Sequence, residues 1–255
     1  MDATTKPVAI IRWLPYWAVL QADLQQTLQS WIYRFWVLLS ILAAVGYIIY
    51  RMGLANEAGI IQPASKMIAE LLRWTMLASV SLVVVLTGGT ISSERGTMAD
   101  SVLSRGISRH QYFLGKWHSR LFSVIVTFWV LAITMLGGVL MTLHEDLSLI
   151  GCLVALGTAS ALLMTVVTCG VAVSAMCNST LLVVGVLWGF LYGGGFLLSL
   201  LPSRFMTPDR ALNSLPYILQ GQYDGEGLTR LIVGCVLLSS VTAITGMMYF
   251  AQRDI

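Results

Sequence analysis

Charge is what this 255-residue sequence has least of: Asp, Glu, Lys and Arg make up 11% of it, against 57% hydrophobic residues. Soluble domains run near a quarter charged, so a chain this poor in polar groups cannot cover a globular surface, and its solvent is largely lipid. Cysteine is sparse as well. Cys152, Cys169, Cys177 and Cys235 lie within or beside apolar stretches without metal-ligand spacing, which excludes an oxidised framework and leaves them as small packing residues. A phosphate loop is missing, since Leu114-Gly115-Lys116-Trp117 lacks both the upstream glycine and the hydroxyl that ligates magnesium. No Ser or Cys has a His partner at membrane depth, which excludes nucleophilic catalysis. His144-Glu145-Asp146 reads as a solvated turn, because three adjacent side chains do not converge on one ion, and no metal or nucleic acid is expected. No cleavable leader is expected, as Asp2, Lys6, Arg12 and Asp23 precede the first long apolar stretch.

What is present is a series of apolar segments. A hydrocarbon core about 30 Å thick takes about 20 residues of helix, and measuring that length between charges predicts six crossings. They fall at 31–50, 68–91, 121–143, 147–176, 181–201 and 231–250 of a single transmembrane domain that occupies residues 1–255. The fourth and fifth come from one stretch, Leu147 to Ser203, that holds no Asp, Glu, Lys, Arg or His and is too long for one helix; the polar interruption Cys177-Asn178-Ser179-Thr180 marks the turn. The expected fold is therefore all-α and polytopic.

Orientation follows from which short loops collect cations. With both termini inside, the inner segments hold nine basic and five acidic residues and the outer ones six and seven. Upstream of the first crossing, Leu20, Leu24, Leu28 and Trp31 recur at helical spacing among glutamines, which predicts an interfacial amphipathic helix over about 16–30 on the inner membrane surface. Between the last two crossings, the 202–227 outer loop carries a semi-apolar piece, Ala211 to Leu219, long enough to dip into the membrane without crossing it.

The 92–120 inner loop reads as two short helices joined at a corner. Thr97 with Asp100, and Ser108 with Gln111, each place an acceptor where the first free N–H groups of a helix need one. Gly106 suits the stop between the two pieces. The first piece is amphipathic, with Met98, Val102 and Leu103 facing the membrane and Asp100, Ser104 and Arg105 facing away.

In its motifs, Glu94-Arg95, Gly96-Thr97, Leu103-Ser104, Gly106-Ile107-Ser108-Arg109 and Gly115-Lys116, the loop resembles that of the permease subunits of type-2 ATP-binding cassette (ABC) exporters. Proline is common in that family where Gly106 stands here. The likeness extends to the surface helix, the six crossings, the outer loop and the ending Gln252-Arg253-Asp254-Ile255. It implies that the loop is a cytoplasmic coupling helix docked on a separate ATPase, with Glu94, Arg95, Gly96, Thr97, Asp100, Ser104, Arg105, Ser108 and Arg109 at the contact. It implies two ABC ATPase subunits that use ATP and magnesium, a second permease chain, the same or different, and a bacterial cytoplasmic (inner) membrane. No cofactor is expected in this chain. The predicted cores of helices two to six lack ionisable residues, which speaks against ion coupling and for energy from another polypeptide.

Two further sets are candidate sites. Gly185, Gly189 and Gly193 form a small-residue ridge that suits close helix packing, including a dimer contact, or else loosen the helix near its end. Thr75, Ser79, Tyr192 and Ser199 are candidates for lining a passage, as helices two and five do in that family; hydroxyls bonded to their own backbone are the alternative. Two other functions fit the same features: a non-transporting anchor passing ATPase force to an outer partner, and a membrane-embedded enzyme or maturation factor.

Overall fold

The computed structural model describes residues 13–58, 63–92, 107–142, 146–200, 202 and 205–252, and every regular element among them is an α-helix. In order these are α1 (Leu14–Gln29), α2 (Trp31–Ala58), α3 (Ala64–Gly88), α4 (Arg109–Thr142), α5 (Leu149–Met176), α6 (Thr180–Ser199), the short α7 (Pro208–Asn213) and α8 (Leu215–Leu219), and α9 (Gly225–Gln252). Six of them, α2 to α6 and α9, are long and apolar enough to cross a membrane. Helices that satisfy their own backbone are the form in which such a chain enters lipid, and the protein is an all-α polytopic membrane protein. Successive crossings alternate in direction, so one end of the bundle gathers α1, the end of α3, the start of α4 and the end of α9. We call this the loop end, after the 93–106 stretch, which lies outside the described residues together with Glu94, Arg95, Gly96, Thr97, Asp100, Ser104 and Arg105.

α5 is the hub. Small residues allow its neighbours to come close: Gly151, Ala155, Ala159, Ala161, Gly170, Ala172 and Ala175 are all buried. Its most extensive packing is against α9, where a Cβ at Gly246 would stand 2.8 Å from the Ala172 Cβ. Gly170 meets Thr87 of α3 so closely that a Cβ would overlap the threonine hydroxyl. α2 and α6 are peripheral by comparison; Val183 and Leu187 are the buried residues of α6.

The observed bounds correct the expected ones in an instructive way. α4 starts at Arg109, twelve residues before Leu121, so the second half of the 92–120 loop is no separate short helix but the first third of α4. At about 1.5 Å per residue its 34 residues reach about 50 Å, well beyond the hydrocarbon thickness. The charges of Arg109 to Arg120 mark where α4 enters lipid and not where it begins. The turn over 177–179 falls where the polar interruption predicts it, and the four cysteines are free. In the outer loop, α8 packs Leu215, Ile218 and Leu219 on the starts of α3 and α5, and α7, with Ala211 buried, lies against α6 and α8. Ser148 N–H donates to the Leu219 carbonyl at 2.8 Å, and Gln220 Nε2 donates to Ser65 Oγ at 2.8 Å.

Candidate functional site

The loop end is where polar side chains are buried and linked. α1 carries Pro15 in its first turn, where the ring suits a helix start, and is closed by Ser30, which is extended (φ −64°, ψ 137°) and lets α2 start afresh with Tyr33 N–H on Ser30 Oγ at 3.3 Å. The side of α1 that packs is centred beside the apolar stripe and not on it. Val19, Asp23 and Thr27, spaced at four residues, are buried against α4, while Leu20 and Leu24 are half-buried and Leu28 and Trp31 stay exposed. Gly115 makes the contact possible, since a Cβ there would meet Val19 Cγ1 at 2.8 Å.

Three ionisable residues meet across this contact with almost no water. Asp23 is 2% exposed, Lys116 5% and Arg120 8%. Lys116 Nζ donates to Asp23 Oδ1 at 2.8 Å, and an Arg120 terminal nitrogen donates to the same oxygen at 3.3 Å. The other terminal nitrogen of Arg120 donates to Thr27 Oγ1 at 2.8 Å, and that hydroxyl donates to the Asp23 carbonyl at 2.8 Å. Asp23 Oδ2 and Arg120 Nε have no hydrogen-bond partner among the described residues. Two turns nearer the start of α1, Tyr16 Oη lies 2.9 Å from His118 Nδ1. Burial raises the Tyr16 pKa, so the phenol stays protonated and is the donor where that ring nitrogen is unprotonated.

Both flanks of the 93–106 stretch are seated. On the leading side, the N–H groups of Ile91 and Ser92 both donate to Ser174 Oγ of α5, at 3.1 and 3.2 Å, and Ser92 Oγ donates to the Gly88 carbonyl at 2.7 Å. On the trailing side, Ser108 and Gln111 form a reciprocal capping box: Gln111 N–H donates to Ser108 Oγ and Ser108 N–H to Gln111 Oε1, each at 3.2 Å. Arg109 ties the start of α4 to the end of α9 through the Ala251 carbonyl at 3.2 Å. Tyr112 and Phe113 pack their rings on Phe250. Replacing Ser108 with alanine is expected to lower the stability of the purified chain by about 1 kcal/mol through loss of the cap, read as a lower melting temperature in detergent.

The remaining candidates scatter. Thr75 and Ser79 are buried in the core, with Thr75 Oγ1 donating to Met135 Sδ at 3.5 Å and Ser79 Oγ donating to the Thr75 carbonyl at 2.6 Å. Tyr192 is exposed and stacks on Trp188, and Ser199 donates to the Phe196 carbonyl. The four are not brought together within the chain. Gly185, Gly189 and Gly193 face outward, with open space where a Cβ would stand on each. No cluster of His, Cys, Asp or Glu able to hold a metal occurs among the described residues.

The Asp23–Lys116–Arg120 group does not stand out in the sequence. Its signal is a coincidence of two spacings, Asp23/Thr27 and Lys116/Arg120, each four residues apart and of complementary character. Compared with protein-family models and with curated proteins, the chain matches none.

Proposed function

We propose that the chain is the membrane-spanning permease subunit of an ABC exporter in a bacterial cytoplasmic membrane, with both termini inside. Two six-helix chains, identical or different, form the passage, and two ATPase subunits beneath them hydrolyse ATP with magnesium. This chain hydrolyses nothing. The observation that carries the reading is the seating of both flanks of the 93–106 stretch, by Ser174 on one side and by the capping box and Arg109 on the other. A push on the residues between them passes into α3 and α4 without slack. The exposed apolar faces of α2 and α6 leave room for a second permease chain.

Pulling down the solubilised chain from its native membrane is expected to bring a P-loop ATPase with it. Glu94→Gln and Gly96→Val are expected to cut ATP-driven transport or ATPase stimulation at least about fivefold, the lower end of typical coupling energies, with unchanged melting temperature. Absence of any such ATPase, or wild-type activity in both variants, overturns the proposal. A force-transmitting anchor that moves no substrate shares the same coupling. It is favoured by the seating of α8 on α3 and α5, and flux across vesicles separates the two.

A further inference from the structure

At the end of the bundle opposite the 93–106 stretch, α3 carries Lys66, Glu70 and Arg73 on one stripe, at spacings of four and three residues. The carboxylate is already engaged. Arg51 of α2 donates to Glu70 Oε2 at 3.0 Å and, through Nε, to Tyr47 Oη at 3.0 Å, while the Tyr47 hydroxyl donates to the same Glu70 oxygen. Lys66 and Arg73 are exposed and have no ion-pair partner among the described residues.

Arg73 stands nine residues into α3, about 13 Å from its start, and the 25-residue helix exceeds the hydrocarbon thickness by only about 7 Å. With α3 centred on the hydrocarbon layer, the Arg73 Cα stands about 10 Å inside it. Helical side chains lean toward their own N-terminus, which here is the near interface, so the guanidinium extends to the headgroup level where Lys66 also sits. A cation at this depth needs an anionic partner, and none comes from the described residues. Farther along α3, Trp74, Leu77 and Val85 are exposed and apolar on an adjoining strip. A cationic head end continued by an apolar strip has the shape of one amphiphile.

We propose that Lys66 and Arg73, braced by the Arg51–Glu70–Tyr47 network, hold the phosphate of an anionic membrane lipid whose acyl chain lies along Trp74, Leu77 and Val85. A zwitterionic lipid brings its own ammonium group, which the two cations repel. The proposal is independent of the permease reading and of which leaflet this end occupies.

The test uses the full chain in detergent micelles, titrated with phosphatidylglycerol, with phosphatidylcholine of the same acyl chains, or with inorganic phosphate, and reads bound lipid by native mass spectrometry. Phosphatidylglycerol is expected to bind saturably and at least tenfold more tightly than phosphatidylcholine, with no competition from millimolar phosphate. Lys66→Gln and Arg73→Gln are each expected to weaken it about fivefold, the effect of one basic residue near a lipid surface. Arg34→Gln, which removes an exposed cation at the loop end, is expected to leave it unchanged. Equal binding of the two lipids, undiminished binding in a Lys66→Gln/Arg73→Gln double variant that melts normally, an equal loss in Arg34→Gln, or displacement by inorganic phosphate overturns the proposal.

Discussion

Replacing Asp23 with alanine is expected to lower the stability of the folded chain by about 3–5 kcal/mol, because it removes the carboxylate to which two buried cations, Lys116 and Arg120, both donate. The ammonium and guanidinium cannot recover hydration without separating α1 from α4. Thermal unfolding in detergent, together with proteolysis of the first thirty residues, reads the two consequences separately: a lower melting temperature and release of α1. Asparagine in place of Asp23 is expected to fall between the two, as it keeps a hydrogen-bond acceptor but not the charge. The companion experiment replaces all three residues at once. Asp23→Leu with Lys116→Met and Arg120→Met leaves no buried charge, and recovers most of the lost stability if ionic desolvation is the cause. A single Asp23→Ala variant that melts like the parent would mean that water reaches the group and that α1 is not clamped there.

A second large effect is expected at Gly170. Valine at this position drives a branched side chain into Thr87 of α3, whose hydroxyl donates to the Val83 carbonyl at 2.7 Å and is locked in its rotamer. The crossing cannot relax without parting α3 from α5, and overpacking of this kind costs about 3 kcal/mol. The damage extends to the loop end, since Ser174 lies one turn farther along α5 and holds Ile91 and Ser92. Folding yield and melting temperature measure the first consequence; faster protease cleavage between residues 92 and 108 measures the second. Gly185 supplies the contrast. Nothing lies near the place of a side chain there, so Gly185→Val is expected to leave the chain's own melting unchanged and to act only on self-association, read by light scattering. Equal destabilisation by the two substitutions would remove the distinction between an inner and an outer glycine face.

The six crossings were legible because charge reports directly on the hydrocarbon boundary: the uncharged stretch over 147–203 resolves into α5 and α6 at the polar turn. The Ser108–Gln111 cap was legible for a similar reason, as capping depends on residues three positions apart and on nothing distant. The length of α4 was not, because a ruler made of apolar residues measures the membrane and not the helix, and Arg109 to Arg120 are helical outside it. The packing side of α1 was hidden by composition. A stripe of leucines beside one of Val19, Asp23 and Thr27 reads as core against water; here the polar residues meet partners within the chain and are the more deeply buried, while Leu20 and Leu24 are half-buried and Leu28 is exposed. Thr75 and Ser79 were ambiguous for want of the rotation of α3 about its axis, which buries both and sets Thr75 against Met135 of α4. Seven of the nine candidate coupling residues, from Glu94 to Arg105, fall outside the described residues.

The overlong α4 has a mechanical consequence. Its later two-thirds pack with α3 and α5, while its first third carries α1 on one flank and is tied to the end of α9 through Arg109, Tyr112 and Phe113. Rocking the later portion through a small angle sweeps the first third sideways, as an oar blade travels when the loom turns in its rowlock, and α1 and the end of α9 must travel with it. The exposed Leu14, Trp17 and Leu28 of α1 then slide through headgroups, so that lipid viscosity, and not protein stiffness alone, sets how fast the stroke completes.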